Sequence, residues 1–147
     1  MNKFCFKYEN IIDIKCRYED IAKGKLNEAQ QRLIVQEKEL EHLKSQSENY
    51  KNYINEIVSE GTSAGTIMQC NSFLEYYRTN IELQGKRIEE CKHEVAKRRH
   101  ELMKVSQAKK VLEKLKEKEK ENFLVIEKKE EMDFIDGLVT FKNFQTK

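Results

Sequence analysis

Between Ala22 and Ile57 the chain steps by three and four residues without a break, through Ala22, Leu26, Ala29, Leu33, Gln36, Leu40, Leu43, Ser47, Tyr50, Ile54 and Ile57. The same step runs through Ile67, Cys70, Leu74, Tyr77, Ile81, Gln84, Ile88, Cys91, Val95, Arg98, Leu102 and Val105. Apolar residues at an average spacing of 3.5 form one stripe on a helix, the seam of a left-handed coiled coil. The chain holds no proline and only five glycines. So few breakers exclude the turns that a sandwich, a barrel or a wound α/β sheet requires. No run of about 20 apolar residues is present to span a membrane, and no secretory leader opens the chain.

Between the two periodic stretches stands Gly61-Thr62-Ser63-Ala64-Gly65. Gly61 suits the position just past a helix end, and Thr66-x-x-Gln69 reads as a capping box. The expected organisation is one coiled-coil domain over residues 1–147. A helix of about 7–60 and a loop at 61–66 lead to a helix of about 67–136, ended by Gly137, and a short tail at 137–147. The fold class is all-α, two long helices in an antiparallel coiled-coil hairpin. Folding at the loop pairs residues whose numbers sum to about 127, so Tyr50 meets Tyr77 and Ile57 meets Cys70. The second helix overhangs the first by about 16 residues, and helices roughly 80 and 105 Å long make a rod. Gln36, Ser47, Gln84 and Arg98 interrupt the seam. Upstream, Ile14, Tyr18, Ala22 and Leu26 step by four, a stutter, and past Val105 the pattern slips to Ala108, Leu112 and Leu115.

Charged residues make up 37% of the sequence, with a net charge of +2. They are unevenly placed: residues 66–112 hold 10 bases against 6 acids, and residues 113–136 hold 6 against 9. The basic belt Lys86–Lys110 could meet nucleic acid, but Glu89, Glu90, Glu94 and Glu101 are interleaved with it at helical spacing. No aromatic lies between residues 78 and 122 to stack on bases. A solvated face or a contact with an acidic protein fits better.

Cys5, Cys16, Cys70 and Cys91 have no zinc-ligand spacing, and the hairpin register places Ile57 opposite Cys70 and Gln36 opposite Cys91. His42, His93 and His100 fall on polar faces. With no metal set, phosphate loop, nucleophile elbow or cavity in prospect, neither an enzyme nor a cofactor is expected. The 13 aromatics gather in three places: near the N-terminus, near the loop, and from Phe123 onward. Tyr53, Phe73 and Tyr76 lie off the seam, and exposed aromatics on so thin a protein are candidate anchors for partners.

Phe4-x-Phe6-x-Tyr8-x-x-Ile11-Ile12-x-Ile14-Lys15 followed by Glu19 resembles the opening of the flagellar FliJ proteins. The glycine-marked loop, the aromatic pair after it, Arg98-Arg99 and the runs Glu113–Glu119 and Glu127–Asp136 resemble later parts of that family. The resemblance spans the whole chain. It implies a soluble component of the bacterial flagellar type III export apparatus, serving flagellum biogenesis and motility, similar in fold to the hairpin of a rotary ATPase stalk. The implied partners are the hexameric export ATPase FliI, whose ring assembly it promotes, the export gate protein FlhA, and export chaperones. The implied place is the cytoplasm, peripheral on the membrane at the flagellar base. Gate binding is expected at Leu43, Gln46, Tyr50, Phe73 and Tyr77. Contact with the ATPase ring is expected at Phe4, Phe6, Arg98, Arg99, Lys114, Lys116 and Glu117. The alternative is a stand-alone dimerising coiled-coil adaptor with weak nucleic-acid affinity.

Overall fold

The computed structural model describes residues 3–146. Two helices, α1 (Glu9–Glu60) and α2 (Ala64–Gln145), pack against each other as a hairpin, with no strand among the described residues. α1 starts on the carbonyl of Tyr8, which accepts from the amides of Ile11 (3.0 Å) and Ile12 (3.1 Å). Glu9 in the first turn complements the positive end of the helix dipole. α1 stops at Gly61, whose φ of +91° lies in the left-handed region that favours glycine. The Gly61 amide donates to Val58 O at 3.3 Å.

The loop is shorter than the spacing predicts. Ser63 caps α2, its Oγ accepting from the Thr66 amide at 3.2 Å and lying 2.9 Å from Thr66 Oγ1. Ser63 therefore takes the role expected of Thr66, and α2 begins about one turn early. At its other end α2 does not stop at Gly137, and the expected tail is helical to Gln145. One glycine is a modest cost in a helix, and no proline or second glycine follows it. The close comes from Thr146, whose Oγ1 donates to Lys142 O (3.2 Å) and Asn143 O (3.0 Å).

The chain divides into two compact units, residues 21–102 and residues 3–20 with 103–146. In the first, every predicted seam position from Ala22 to Ile57 and from Cys70 to Leu102 is buried or half-buried, whereas Ile67 is exposed. Tyr50 meets Tyr77, with ring centroids 6.0 Å apart, but it also meets Phe73 at 5.5 Å. Cys70 is buried and bears on the Tyr50 hydroxyl, a neighbour that the expected register did not give it. Gln36 faces Gln84 instead of Cys91: Gln84 Nε2 donates to Gln36 O (2.9 Å) and Oε1 (2.7 Å). Cys91 sits beside Ala29 and Arg32. Gln84 is 1% exposed, so this pair is a polar layer inside the seam, satisfied on both partners.

In the second unit the expected stutter and slip are both absent. Ile14 and Tyr18 are exposed, while Ile12 is buried and Cys16 and Glu19 are half-buried. On α2 the inward row continues through Lys109, Leu112, Lys116, Glu119 and Phe123, in phase with Leu102 and Val105. The helices keep their step and accept charged side chains on the seam, because opposite charges meet there. Lys116 Nζ donates to Glu9 Oε1 at 3.0 Å and lies 2.8 Å from Oε2. Phe6 is buried, and Phe4 packs on Phe123 at 5.6 Å.

Two glycines test this account with opposite signs. At the exposed helical Gly24 an added Cβ meets nothing within 4 Å. Gly24→Ala should raise stability by roughly 0.5–1 kcal/mol. Gly61→Ala should lower it by about 1–2 kcal/mol, because an L-residue must adopt the left-handed conformation. Thermal melts followed by circular dichroism at 222 nm read both.

Candidate interaction surfaces

Near the loop, Tyr50 is the hub of an aromatic group drawn from both helices. Its ring lies 6.0 Å from Tyr53, 5.5 Å from Phe73 and 6.0 Å from Tyr77, and Tyr77 lies 6.0 Å from Tyr76 in an edge-on arrangement. Tyr50 is half-buried, and its hydroxyl is pushed up to about 12 by its hydrogen bond with Cys70, then by desolvation. Tyr53, Phe73 and Tyr76 are each more than half exposed, and Ser72, Phe73 and Tyr76 line a shallow open depression. Rings anchored below and exposed above suit a partner's apolar side chain, since little side-chain freedom is left to lose on binding.

Of the five residues expected at this surface, the structure gathers Tyr50, Phe73 and Tyr77. Leu43 and Gln46 lie two turns and one turn away on α1, Leu43 half-buried on the seam and Gln46 exposed. Periodicity marked Tyr53 and Tyr76 as off the seam, and their exposure adds them to the group. The Tyr50–Cys70 contact had no signal in the sequence, because it depends on the register.

The second set is more dispersed. Phe6 is 7% exposed and stands edge-on to Tyr8, 5.7 Å between centroids, so in this state it is core. Phe4 is half covered by Phe123, Lys116 is engaged with Glu9, and Lys114 and Glu117 are exposed. Arg98 and Arg99 belong to the other compact unit. Arg98 is held by Glu94 (2.9 Å) and Glu101 (3.1 Å), and these partners, Glu101 foremost, raise its already high pKa. Arg99 is exposed. Along the basic belt, Lys92 pairs with Glu89 at 3.5 Å, and His93 and His100 are exposed, as on a solvated face.

Sequence reasoning missed a polar clamp in the unit of residues 3–20 and 103–146. Glu19 accepts from Ser106 Oγ (3.0 Å) and Lys109 Nζ (3.4 Å), and Lys109 lies 3.8 Å from Glu113. Both members of the Glu19–Lys109 pair are largely covered. A charge at a seam position reads as a break in an apolar pattern, so nothing in one helix alone announces its partner. No group of three or more His, Cys, Asp or Glu among the described residues could hold a metal. The cysteines are free, with Cys70 buried and Cys5 exposed. Among the described residues, no helix is long and apolar enough to cross a membrane.

An antiparallel helical hairpin with exposed aromatic side chains defines a class, the two-helix coiled-coil scaffolds. The chain matches the flagellar FliJ protein family over residues 4–146 and belongs to that family. Membership makes it a component of the flagellar export apparatus, associated with the export machinery in a non-catalytic family. No curated protein and no solved structure gives a significant match.

The clamp carries a pH signature. The hydrogen bond to Glu19 raises the Lys109 amine above its ordinary 10.5. A raised amine stabilises the fold fully below its unfolded value and loses that contribution as pH rises through the folded one. Lys109→Met should therefore lower the melting temperature at neutral pH. The deficit should shrink as pH climbs past 10.5.

Proposed function

We propose that this protein is the coiled-coil stalk of the export apparatus, which promotes assembly of the hexameric export ATPase ring (FliI) and links it to the export gate protein FlhA. It also serves as a general chaperone that escorts unloaded export chaperones. It works in the cytoplasm, peripheral on the membrane at the flagellar base. The observation that carries the reading is the aromatic group around Tyr50, whose outer rings Tyr53, Phe73 and Tyr76 stay more than half exposed. Family membership supplies the setting, and the surface supplies a reason for one partner to bind there.

In this reading the gate docks on Phe73 and Tyr76, with Tyr50 and Tyr77 beneath them and Leu43 and Gln46 at the margin. The ATPase ring meets the exposed Arg99, Lys114 and Glu117, while Phe4, Phe6, Arg98 and Lys116 shape the surfaces that carry them. The two sets share no residue, so the two contacts can be broken separately.

Phe73→Ala with Tyr76→Ala removes two exposed rings and should leave helix content unchanged. Hot-spot rings of this kind are worth about 2 kcal/mol each, so affinity for the soluble domain of FlhA should fall at least tenfold in calorimetry. Unchanged affinity would sink the gate assignment. For the ring, Lys114→Glu with Glu117→Lys should reduce stimulation of ATP hydrolysis by FliI, and full stimulation would remove those residues from the contact.

A further inference from the structure

In the unit of residues 3–20 and 103–146, the paired helices carry different chemistry on their two sides. On α1, Ile11 stands one residue before the inward Ile12, and Tyr18 one before Glu19. On α2, Ala108, Val111 and Leu115 stand one before Lys109, Leu112 and Lys116 of the inward row. One residue turns a helix by about 100°. In an antiparallel pair, that step back from the seam leads to the same side on both helices. Ile14 joins Ile11 and Tyr18 by the helical steps of three and four. This side is apolar and open: Ile11, Ile14, Tyr18, Val111 and Leu115 are 40%, 45%, 52%, 67% and 38% exposed.

The charges at these positions are all basic. Lys15, Lys104 and Lys118 stand one before Cys16, Val105 and Glu119. Lys15 Nζ lies 5.9 Å from the centroid of the Tyr18 ring. The step forward from the seam reaches Asp13, Asp20, Glu113 and Glu117 instead, with Arg17, Lys110 and Lys120 among them. The acids that flank the seam therefore stand on the opposite side.

We propose that the apolar side docks on the surface of an anionic membrane. Ile14, Val111 and their neighbours enter the boundary between headgroups and acyl chains, and the lysines meet lipid phosphates. Lysine stems lie along apolar surface while their amines stay in water, and a tyrosine suits the same boundary. Headgroups impose no register, whereas a partner helix would have to place an acid opposite each lysine. Among the described residues no helix is long and apolar enough to cross the bilayer, so the contact is interfacial. It deepens the peripheral placement proposed above, and rests on that reading for its setting. Vesicles test it without FliI or FlhA, so its failure is distinct from failure of the export reading.

The experiment is flotation of the full chain with phosphatidylcholine vesicles, alone or with about 30% phosphatidylglycerol. The chain should float with the anionic vesicles only, and about 1 M salt should release it. A lysine near an anionic surface is worth about fivefold in affinity. Lys104→Gln with Lys118→Gln should therefore weaken binding about 25-fold. Lys110→Gln with Lys120→Gln makes the same change of charge on the opposite side and should alter binding by less than about twofold. Ile14→Ser with Val111→Ser should weaken it at least about tenfold, with helix content unchanged because both sites are exposed. No flotation with anionic vesicles would overturn the proposal and leave this side to an acidic protein helix. Equal losses from the two lysine pairs, or binding indifferent to the two serines, would overturn it as well.

Discussion

Two helices side by side can bury only the strip that each turns toward the other, and the rest of both surfaces meets water. Every other property of this protein follows from that narrow strip. The seam contains alanines, a buried cysteine and a few branched residues, and many of its larger side chains are only half covered. At about 25 cal/mol per Å² of apolar surface removed from water, a half-covered leucine contributes roughly half of what a core leucine would. Length compensates for thinness: the contacts repeat turn after turn, so no single one is decisive.

A uniform apolar seam would hold two helices together without saying where. Sliding one helix by a heptad would exchange like for like. The polar contacts resolve this. Gln84 with Gln36, Lys109 and Ser106 with Glu19, and Lys116 with Glu9 are each satisfied in one register and stranded in the next. Burying such groups is costly, and their exposed counterparts contribute little, so their value lies in specificity more than in stability. The capped loop of Gly61 and Ser63 fixes the starting point from which that register runs.

With so little interior, most side chains of this hairpin face outward. The aromatic group around Tyr50 is supported from beneath by the seam, which turns a loose cluster into a fixed relief. The C-terminal part of α2 carries apolar side chains with nothing beneath or above them. These are different kinds of surface: one is backed by the seam, the other is left exposed by it.

The helices, their number, the hairpin and the exposure of Tyr53, Phe73 and Tyr76 were legible in the sequence. A 3.5-residue period and the absence of proline are local properties, and each residue adds to the same signal. Family membership was legible too, because it rests on the pattern of the whole chain. The length of the loop, the persistence of helix through Gly137 and the partners of Cys70, Gln36, Glu19 and Lys109 were decided only in three dimensions. Each is a competition between near-equal alternatives, a serine or a threonine as cap, one more helical turn or none, a charged or an apolar residue facing inward. Sequence spacing ranks such alternatives weakly. The tertiary structure decides them, because a seam charge is tolerated only where the opposite helix brings its counter-charge within reach.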